Sequence, residues 1–130
     1  MRRGSATIPV VAAISSPQRA APRHAIDAEV TLSGPTGPLA RGRTRNLSAG
    51  GLCAVVSHPI ARGTTLEVSI SLVFEEHGLS EPLSLPVRVV WCTSFVAGEQ
   101  VGLAFLPLRR EQASYLDMFI RFLTDERVGS

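Results

Sequence analysis

Apolar and polar residues alternate with a period close to two through the middle of the chain, and this pattern predicts β-strands. The alternation is clearest from residue 65 to 73, where Leu66, Val68, Ile70 and Leu72 share one face. Clusters of Gly, Pro, Ser and Asn separate the runs and predict turns. The predicted strands are residues 24–32, 39–47, 52–56, 65–73, 83–92 and 100–106.

Connections of different kinds join these strands. Residues 33–38 and 93–99 predict turns, residues 58–63 predict a loop, and the polar residues 74–82 predict a second loop. Residues 48–51 predict a tight corner. The fifth strand carries five aligned residues on one face, and these are Leu83, Leu85, Val87, Val89 and Trp91.

The end of the chain has a different period. Apolar residues from Tyr115 to Leu123 recur at three- and four-residue spacing, which predicts an α-helix with one apolar face. Six antiparallel strands in an open sheet would leave two unpaired edges, and closing the sheet removes them. The pattern therefore predicts an all-β domain, a six-stranded antiparallel barrel with the C-terminal helix packed over its mouth.

Length, composition and charge limit the number of domains and the classes of binding partner. A chain of 130 residues is long enough for one domain with one core. The net charge of +2 is too small to predict binding to a nucleic acid polymer or to a membrane surface. The charges are unevenly distributed, however, since residues 19–48 carry an excess of Arg and residues 62–81 carry an excess of Glu. This polarity favours the docking of a small anion at one place.

The chain divides into three predicted segments. Residues 1–17 form a flexible leader, residues 18–125 form the domain and residues 126–130 form a tail. The apolar stretch Ile8 to Ile14 is shorter than the ~18 residues that a membrane span needs. The two cysteines, Cys53 and Cys92, have no disulfide framework around them and predict unpaired thiols in a cytoplasmic protein.

Two short motifs carry candidate binding chemistry. The first is Arg-x-x-x-Arg at Arg19 and Arg23, where two guanidinium forks can bind phosphates and guanine edges bidentately. The second is Asn-x-Ser-x-x-Gly at Asn46, Ser48 and Gly51, which combines an amide, a hydroxyl and a backbone without a Cβ. All 13 basic residues are Arg, and Arg-x-x-x-Arg therefore recurs by chance at Arg41 and Arg45.

The two motifs in this order, followed by apolar strands and a final helix, resemble the PilZ domain from about residue 18 to residue 124. PilZ domains are receptor modules for cyclic di-GMP in bacterial second-messenger signalling. The resemblance implies a PilZ-type barrel and a conformational change on ligand binding. Because the chain shows no output domain, it also implies a separate effector protein as partner.

The resemblance assigns roles to individual residues. Arg19 and Arg23 lie on a segment that wraps over the ligand, Asn46 accepts hydrogen bonds from guanine N–H groups, and Ser48 offers its hydroxyl to the base or phosphate. Gly51, which has no Cβ, lets the backbone approach the guanine ring of the ligand. Three further residues are additional candidates for the cyclic di-GMP site: Gln18, Arg45 and Gly50.

Enzymatic chemistry is not predicted. Ser48 lacks the Gly-x-Ser-x-Gly elbow of a serine nucleophile, and the three histidines have no ligand partner at metal spacing. The chain is therefore expected to be neither an enzyme nor a metalloprotein, and to need no cofactor besides its ligand.

Two other functions stay open. A PilZ-like module could have lost ligand binding and act only through protein contacts. A small barrel could instead bind RNA or single-stranded DNA, but this would require exposed aromatic residues interleaved with basic ones, and the chain has only seven aromatic residues.

Overall fold

A computed structural model describes residues 25–75 and 78–129, with side chains as far as Leu123 in the last helix. The elements in chain order are β1 Asp27–Gly34, β2 Gly37–Leu47, β3 Gly51–Val56, β4 Thr65–Phe74, β5 Gly78–Leu79, β6 Leu83–Phe95, β7 Gly98–Phe105 and α1 Arg110–Gly129.

The described strands form a closed antiparallel barrel. Neighbouring strands pair in the order β1-β2-β3-β7-β6-β4, and β1 also pairs with β4, which closes the sheet into six strands. The two-residue strand β5 adds to the edge of β4 outside this ring. The predicted six-stranded antiparallel barrel with a C-terminal helix is confirmed.

The barrel interior is built from the inward residues of alternating strands. On β4, four aliphatic residues alternate with polar ones and are at most 6% exposed, and β6 contributes three fully buried residues from the same pattern. The helix α1 closes one mouth with Leu116, Phe119 and Leu123, each at most 3% exposed. The Phe122 ring meets that of Phe74 edge to face, with centroids 5.4 Å apart.

Several connections differ from the sequence prediction. The predicted turn 33–38 is only two residues long, Pro35 and Thr36, and the predicted turn 93–99 is reduced to Val96 and Ala97. Both turns lead into glycines at positive φ, 123° at Gly37 and 143° at Gly98, which lets strands pair up to the turn. The helix is also longer than its apolar stripe and continues past residue 125 to Gly129.

Three register shifts interrupt the ladders of the described strands. One lies in the β1–β2 pairing between Leu32 and Ser33, and the other two are β-bulges near the candidate site. In β2 the pairing with β3 shifts between Arg43 and Asn46, and in β6 the pairing with β7 shifts between Val89 and Trp91. An extra residue reverses which face the following residues occupy. The predicted alignment of Trp91 with the inward residues of β6 is therefore wrong, since Trp91 lies on the outer face and is 37% exposed.

Two further features bear on the sequence-based expectations. Cys53 and Cys92 are half-buried and free. Among the helices of the described residues, none is long and apolar enough to cross a membrane.

Candidate functional site

The β2 bulge determines which side chains reach the surface next to the predicted corner. Thr44 is buried, Arg45 and Asn46 are both exposed, and Leu47 is buried again. In an uninterrupted strand, two consecutive residues cannot face the same side. The bulge therefore turns Asn46 outward while it keeps Leu47 in the core.

A buried hydroxyl bridges this bulge. The Oγ1 atom of Thr44 accepts a hydrogen bond from the backbone N–H of Asn46 at 2.9 Å. The same hydroxyl donates to the carbonyl oxygen of Cys53 on β3. The Thr44 hydroxyl thus donates one hydrogen bond and accepts another where the regular ladder between the two strands is interrupted.

The corner between β2 and β3, residues 48–51, is held by Ser48. Its backbone N–H and its hydroxyl both donate to the carbonyl of Gly51, at 2.9 and 3.0 Å. The Gly51 N–H donates back to the Ser48 hydroxyl oxygen at 3.3 Å. The Ser48 side chain is exposed, but its proton is already committed, so it can accept a further hydrogen bond more readily than it can donate one.

The two glycines of the corner have different surroundings. A Cβ on Gly51 would lie 2.0 Å from the carbonyl oxygen of Leu103 on β7, whereas a Cβ on Gly50 would meet no atom within 4 Å. Neither glycine has a positive φ. Gly51 is therefore required by the close approach of β3 to β7, and Gly50 anchors the corner through its carbonyl, which accepts from the Phe105 N–H at 2.9 Å.

An ion-pair cluster lies on the outer face beside the bulge. The Arg43 guanidinium contacts Asp27 at 3.1 Å and Glu29 at 3.3 Å, both on β1. The second carboxylate oxygen of Asp27, Oδ1, is buried and has no hydrogen-bond partner within the described part of the chain. The positive charge of Arg43 is thus largely balanced by carboxylates of its own fold.

Backbone and side-chain contacts tie the site to the C-terminal half of the helix. The N–H of Ala25, two residues after Arg23, donates to the carbonyl of Phe122 at 2.9 Å. The Arg45 guanidinium, next to Asn46, donates to the carbonyl of Leu123 at 3.5 Å. The chain segments next to the two motifs therefore contact consecutive carbonyls of α1.

The structure brings together five of the predicted site residues, namely Arg45, Asn46, Ser48, Gly50 and Gly51. The other three, Gln18, Arg19 and Arg23, lie outside the described residues, as does the predicted leader. Sequence reasoning did not identify Thr44, although its spacing holds a signal. Ala40, Gly42 and Thr44 follow a period of two, but the next apolar residue, Leu47, comes one position too late.

A groove beside the β3–β4 loop lies apart from the corner at residues 48–51. It has a volume of about 730 Å³ and is lined by residues of the β3–β4 loop and of β6 and β7, including Arg62, Trp91 and Glu99. Glu99 pairs with Val56 at the far end of β3, about 17 Å along the strand from Gly51.

Comparison with known proteins agrees with this architecture. The family model for the PilZ domain matches residues 17–122. The match spans the barrel, the corner and most of the helix, and the chain belongs to the PilZ domain family. PilZ domains are binding and adaptor modules.

Solved structures show the same fold at low sequence identity. The PilZ domain of YcgR from Escherichia coli, solved with c-di-GMP, superposes with a TM-score of 0.58 at 15% identity, over 78% of this chain and 85% of that one. The inhibitor of motility MotI (DgrA) from Bacillus subtilis superposes with a TM-score of 0.61 at 18% identity, over 87% of this chain. The PilZ domain of CeSA from a cellulose-synthesizing bacterium superposes with a TM-score of 0.51 at 20% identity, over 78% of this chain and 93% of that one.

The similarity covers only part of the longer relatives. The match spans 53% of the MotI chain and 45% of a longer YcgR chain solved in complex with c-di-GMP. A search of curated proteins by sequence found no match.

Proposed function

We propose that this chain is a cyclic di-GMP receptor that transmits ligand binding to a protein partner. The observation that carries the proposal is the exposed pair of Asn46 and Ser48 beside the β2–β3 corner of a PilZ barrel. The solved complex of the YcgR PilZ domain with c-di-GMP supports the same ligand class.

The chemistry of the corner suits the base of this ligand. Guanine presents N–H donors on its Watson–Crick edge, which the side-chain oxygen of Asn46 and the free lone pair of Ser48 can accept. Its N7 and O6 acceptors match an arginine fork. Arg19 and Arg23 would supply that fork and the charge for the two phosphates, because Arg43 on the barrel is already paired with two carboxylates.

Signal transmission would use the C-terminal half of the helix. An arginine segment drawn over the ligand pulls on Ala25, whose N–H is bonded to Phe122, and a ligand on Asn46 sits next to the Arg45 contact to Leu123. Both motifs would thereby change the position of the last turns of α1. A protein that contacts this part of the helix would then read the bound state. We place the receptor in the cytoplasm, which the two unpaired thiols favour.

Titration calorimetry tests the ligand. The protein should bind cyclic di-GMP and not cyclic di-AMP or GTP, because adenine carries an amino donor where the arginine fork needs the O6 acceptor. GTP is the control for recognition of guanine alone, since it carries the same base without the cyclic dinucleotide backbone. No heat with cyclic di-GMP at high micromolar concentration would overturn the proposal.

Arginine variants test which pair binds the phosphates. Arg23→Ala should nearly abolish binding and Arg19→Ala should weaken it strongly, with melting temperatures close to wild type. The matched control is Arg41→Ala, which breaks the second Arg-x-x-x-Arg motif and leaves the candidate site residue Arg45 in place. If Arg41→Ala loses more affinity than Arg19→Ala, the assignment of the pair is wrong.

A second candidate function is an adaptor that binds no nucleotide. The observation that favours it is that two motif residues have roles in the fold itself. The hydroxyl of Ser48 closes the corner, and Gly51 makes room for the carbonyl of Leu103. These roles would preserve the motif even without a ligand. Calorimetry separates the two candidates.

A further inference from the structure

Thr44 has a structural position that no binding motif explains. It is 6% exposed, so its side chain offers almost no area to a ligand at the surface, and with Ser80 it is one of two buried polar side chains among the described residues. A buried hydroxyl is costly unless it is hydrogen-bonded. This hydroxyl has both kinds of partner, since it accepts from the Asn46 N–H at 2.9 Å and donates to the Cys53 carbonyl.

The two hydrogen bonds of the Thr44 hydroxyl lie at the bulge, where the inward and outward positions of β2 are exchanged. Thr44 and Arg45 together oppose the single residue Ala54, between the pairs Arg43–Val55 and Asn46–Cys53. With strict alternation from Ala40, residue 46 would face the core and residue 47 would face solvent. The extra residue reverses this arrangement, and the Thr44 hydroxyl links the N–H and C=O groups of the interrupted ladder.

Threonine is well suited to this task. Its hydroxyl can donate and accept at once, and its β-branched side chain is held to few rotamers. Its methyl group contributes apolar surface inside the barrel. Valine has nearly the same shape but leaves the Asn46 N–H and the Cys53 carbonyl without their partner, while serine keeps the hydroxyl and loses only the methyl group.

We propose that Thr44 is the positioning residue of the site: its hydroxyl locks the β2 bulge and so holds Asn46 on the outer face, in place to accept from the ligand. This inference rests on the proposed function, because the ligand that Asn46 would meet is cyclic di-GMP. Thr44 itself makes no ligand contact.

The first test needs no ligand. Amide hydrogen exchange, followed by NMR on the full chain, reports directly on the hydrogen bond of the Asn46 N–H. Thr44→Val should speed exchange at Asn46 by about tenfold or more, and Thr44→Ser should stay within about threefold of wild type. Unchanged exchange at Asn46 in Thr44→Val would overturn the proposal.

The second test measures affinity for cyclic di-GMP by calorimetry. Thr44→Val should bind about tenfold more weakly, because a loosened Asn46 no longer presents its acceptor in one orientation, and Thr44→Ser should restore binding to within about threefold. The matched control is Thr64→Val, which removes a hydroxyl that donates to the Ala61 carbonyl at 2.6 Å in the β3–β4 loop. That variant should bind within about twofold of wild type.

The outcomes separate the two hypotheses. If the wild type binds no cyclic di-GMP, the proposed function fails, and the exchange comparison alone decides what Thr44 does. If the wild type binds and Thr44→Val binds equally well, the positioning role fails and the proposed function stands. Should Thr44→Val not fold, Thr44→Cys replaces it, since a thiol is a much weaker hydrogen-bonding group. Wild-type affinity in Thr44→Cys would then overturn the proposal.

Discussion

The bulges of β2 and β6 each insert one residue into an antiparallel strand, but they present different surfaces. Register connects them in one row across the outer face, because Asn46 pairs with Cys53, Cys53 with Gly102 and Gly102 with Trp91. At the β2 end, a hydroxyl bridges the interrupted ladder and an amide side chain points outward. At the β6 end, the indole of Trp91 lies over Gly102, where a Cβ would come within 2.2 Å of its Nε1 atom.

Under the proposed function, this difference separates an end that serves the fold from an end that would meet the ligand. The Trp91 ring covers neighbouring backbone and so contributes to packing, as a half-exposed aromatic residue does. Asn46 uses its backbone N–H in the fold, through Thr44, and leaves its side chain exposed. A polar side chain that the bulge turns outward beside a rigid corner is available for recognition.

The largest expected effect concerns the glycines. Gly51→Ala should lower the free energy of unfolding by about 3 kcal/mol, because the new Cβ meets the backbone oxygen of Leu103, which can move only if β7 moves. Gly102→Ala should cost less, about 2 kcal/mol, because it meets a side-chain ring that can rotate.

Urea denaturation monitored by circular dichroism measures both losses. The control is Gly50→Ala, whose new Cβ meets nothing within 4 Å and which should stay within about 0.5 kcal/mol of wild type. Wild-type stability in Gly51→Ala would contradict the close approach of β3 and β7, and would return the role of Gly51 to the ligand alone.

A smaller loss of stability is expected at the β6 bulge. Trp91→Ala should lower the free energy of unfolding by about 1.5 kcal/mol, because the ring is more than half-buried and packs over Gly102. The control is Phe95→Ala, at the tip of the β6–β7 hairpin, where the side chain is 56% exposed and the loss should be about 0.5 kcal/mol. Equal losses would mean that the ring over Gly102 has no special packing role.

Asn46 should show the opposite behaviour, with an effect on affinity rather than on stability. Asn46→Ala should weaken cyclic di-GMP binding by about tenfold, or about 1.4 kcal/mol, and change the free energy of unfolding by less than about 0.5 kcal/mol. Asn46→Asp keeps the acceptor oxygen and should bind within about threefold of wild type. A stability loss in Asn46→Ala as large as that of Trp91→Ala would remove the contrast between the two bulges.

The hydrophobic period and the sequence motifs predicted the strands, the helix and the corner, and there are physical reasons why they succeeded or failed. The run from Leu66 to Leu72 alternates because β4 has one face in the core, so its period is visible in the residues themselves. A bulge adds one residue without changing composition, and the inward placement predicted for Trp91 failed for that reason. The corner residues Asn46, Ser48 and Gly51 were found as a pattern. The bridge at Thr44 was missed because a hydroxyl that joins two strands depends on register, which is a property of both strands together.

The smallest expected effect concerns the charges beside the β2 bulge. A double-mutant cycle of Arg43→Ala and Asp27→Asn should give a coupling of about 0.5 kcal/mol, because the Arg43 side chain is 54% exposed and water screens the pair. The coupling should shrink further in 1 M salt, where the Debye length is about 3 Å. Denaturation of the four proteins at low and high salt measures it.

The Arg43→Ala variant of this cycle also tests which arginines contribute to ligand affinity. Because Arg43 is held between Asp27 and Glu29, its charge is balanced within the fold, and Arg43→Ala should leave cyclic di-GMP affinity within about twofold of wild type. Arg23→Ala, in contrast, should nearly abolish binding. If Arg43→Ala removed most of the affinity while its coupling to Asp27 were zero, the ion pair would not form in solution. Arg43 would then be a phosphate ligand, and the polar end of the row would extend from Asn46 onto the neighbouring strand.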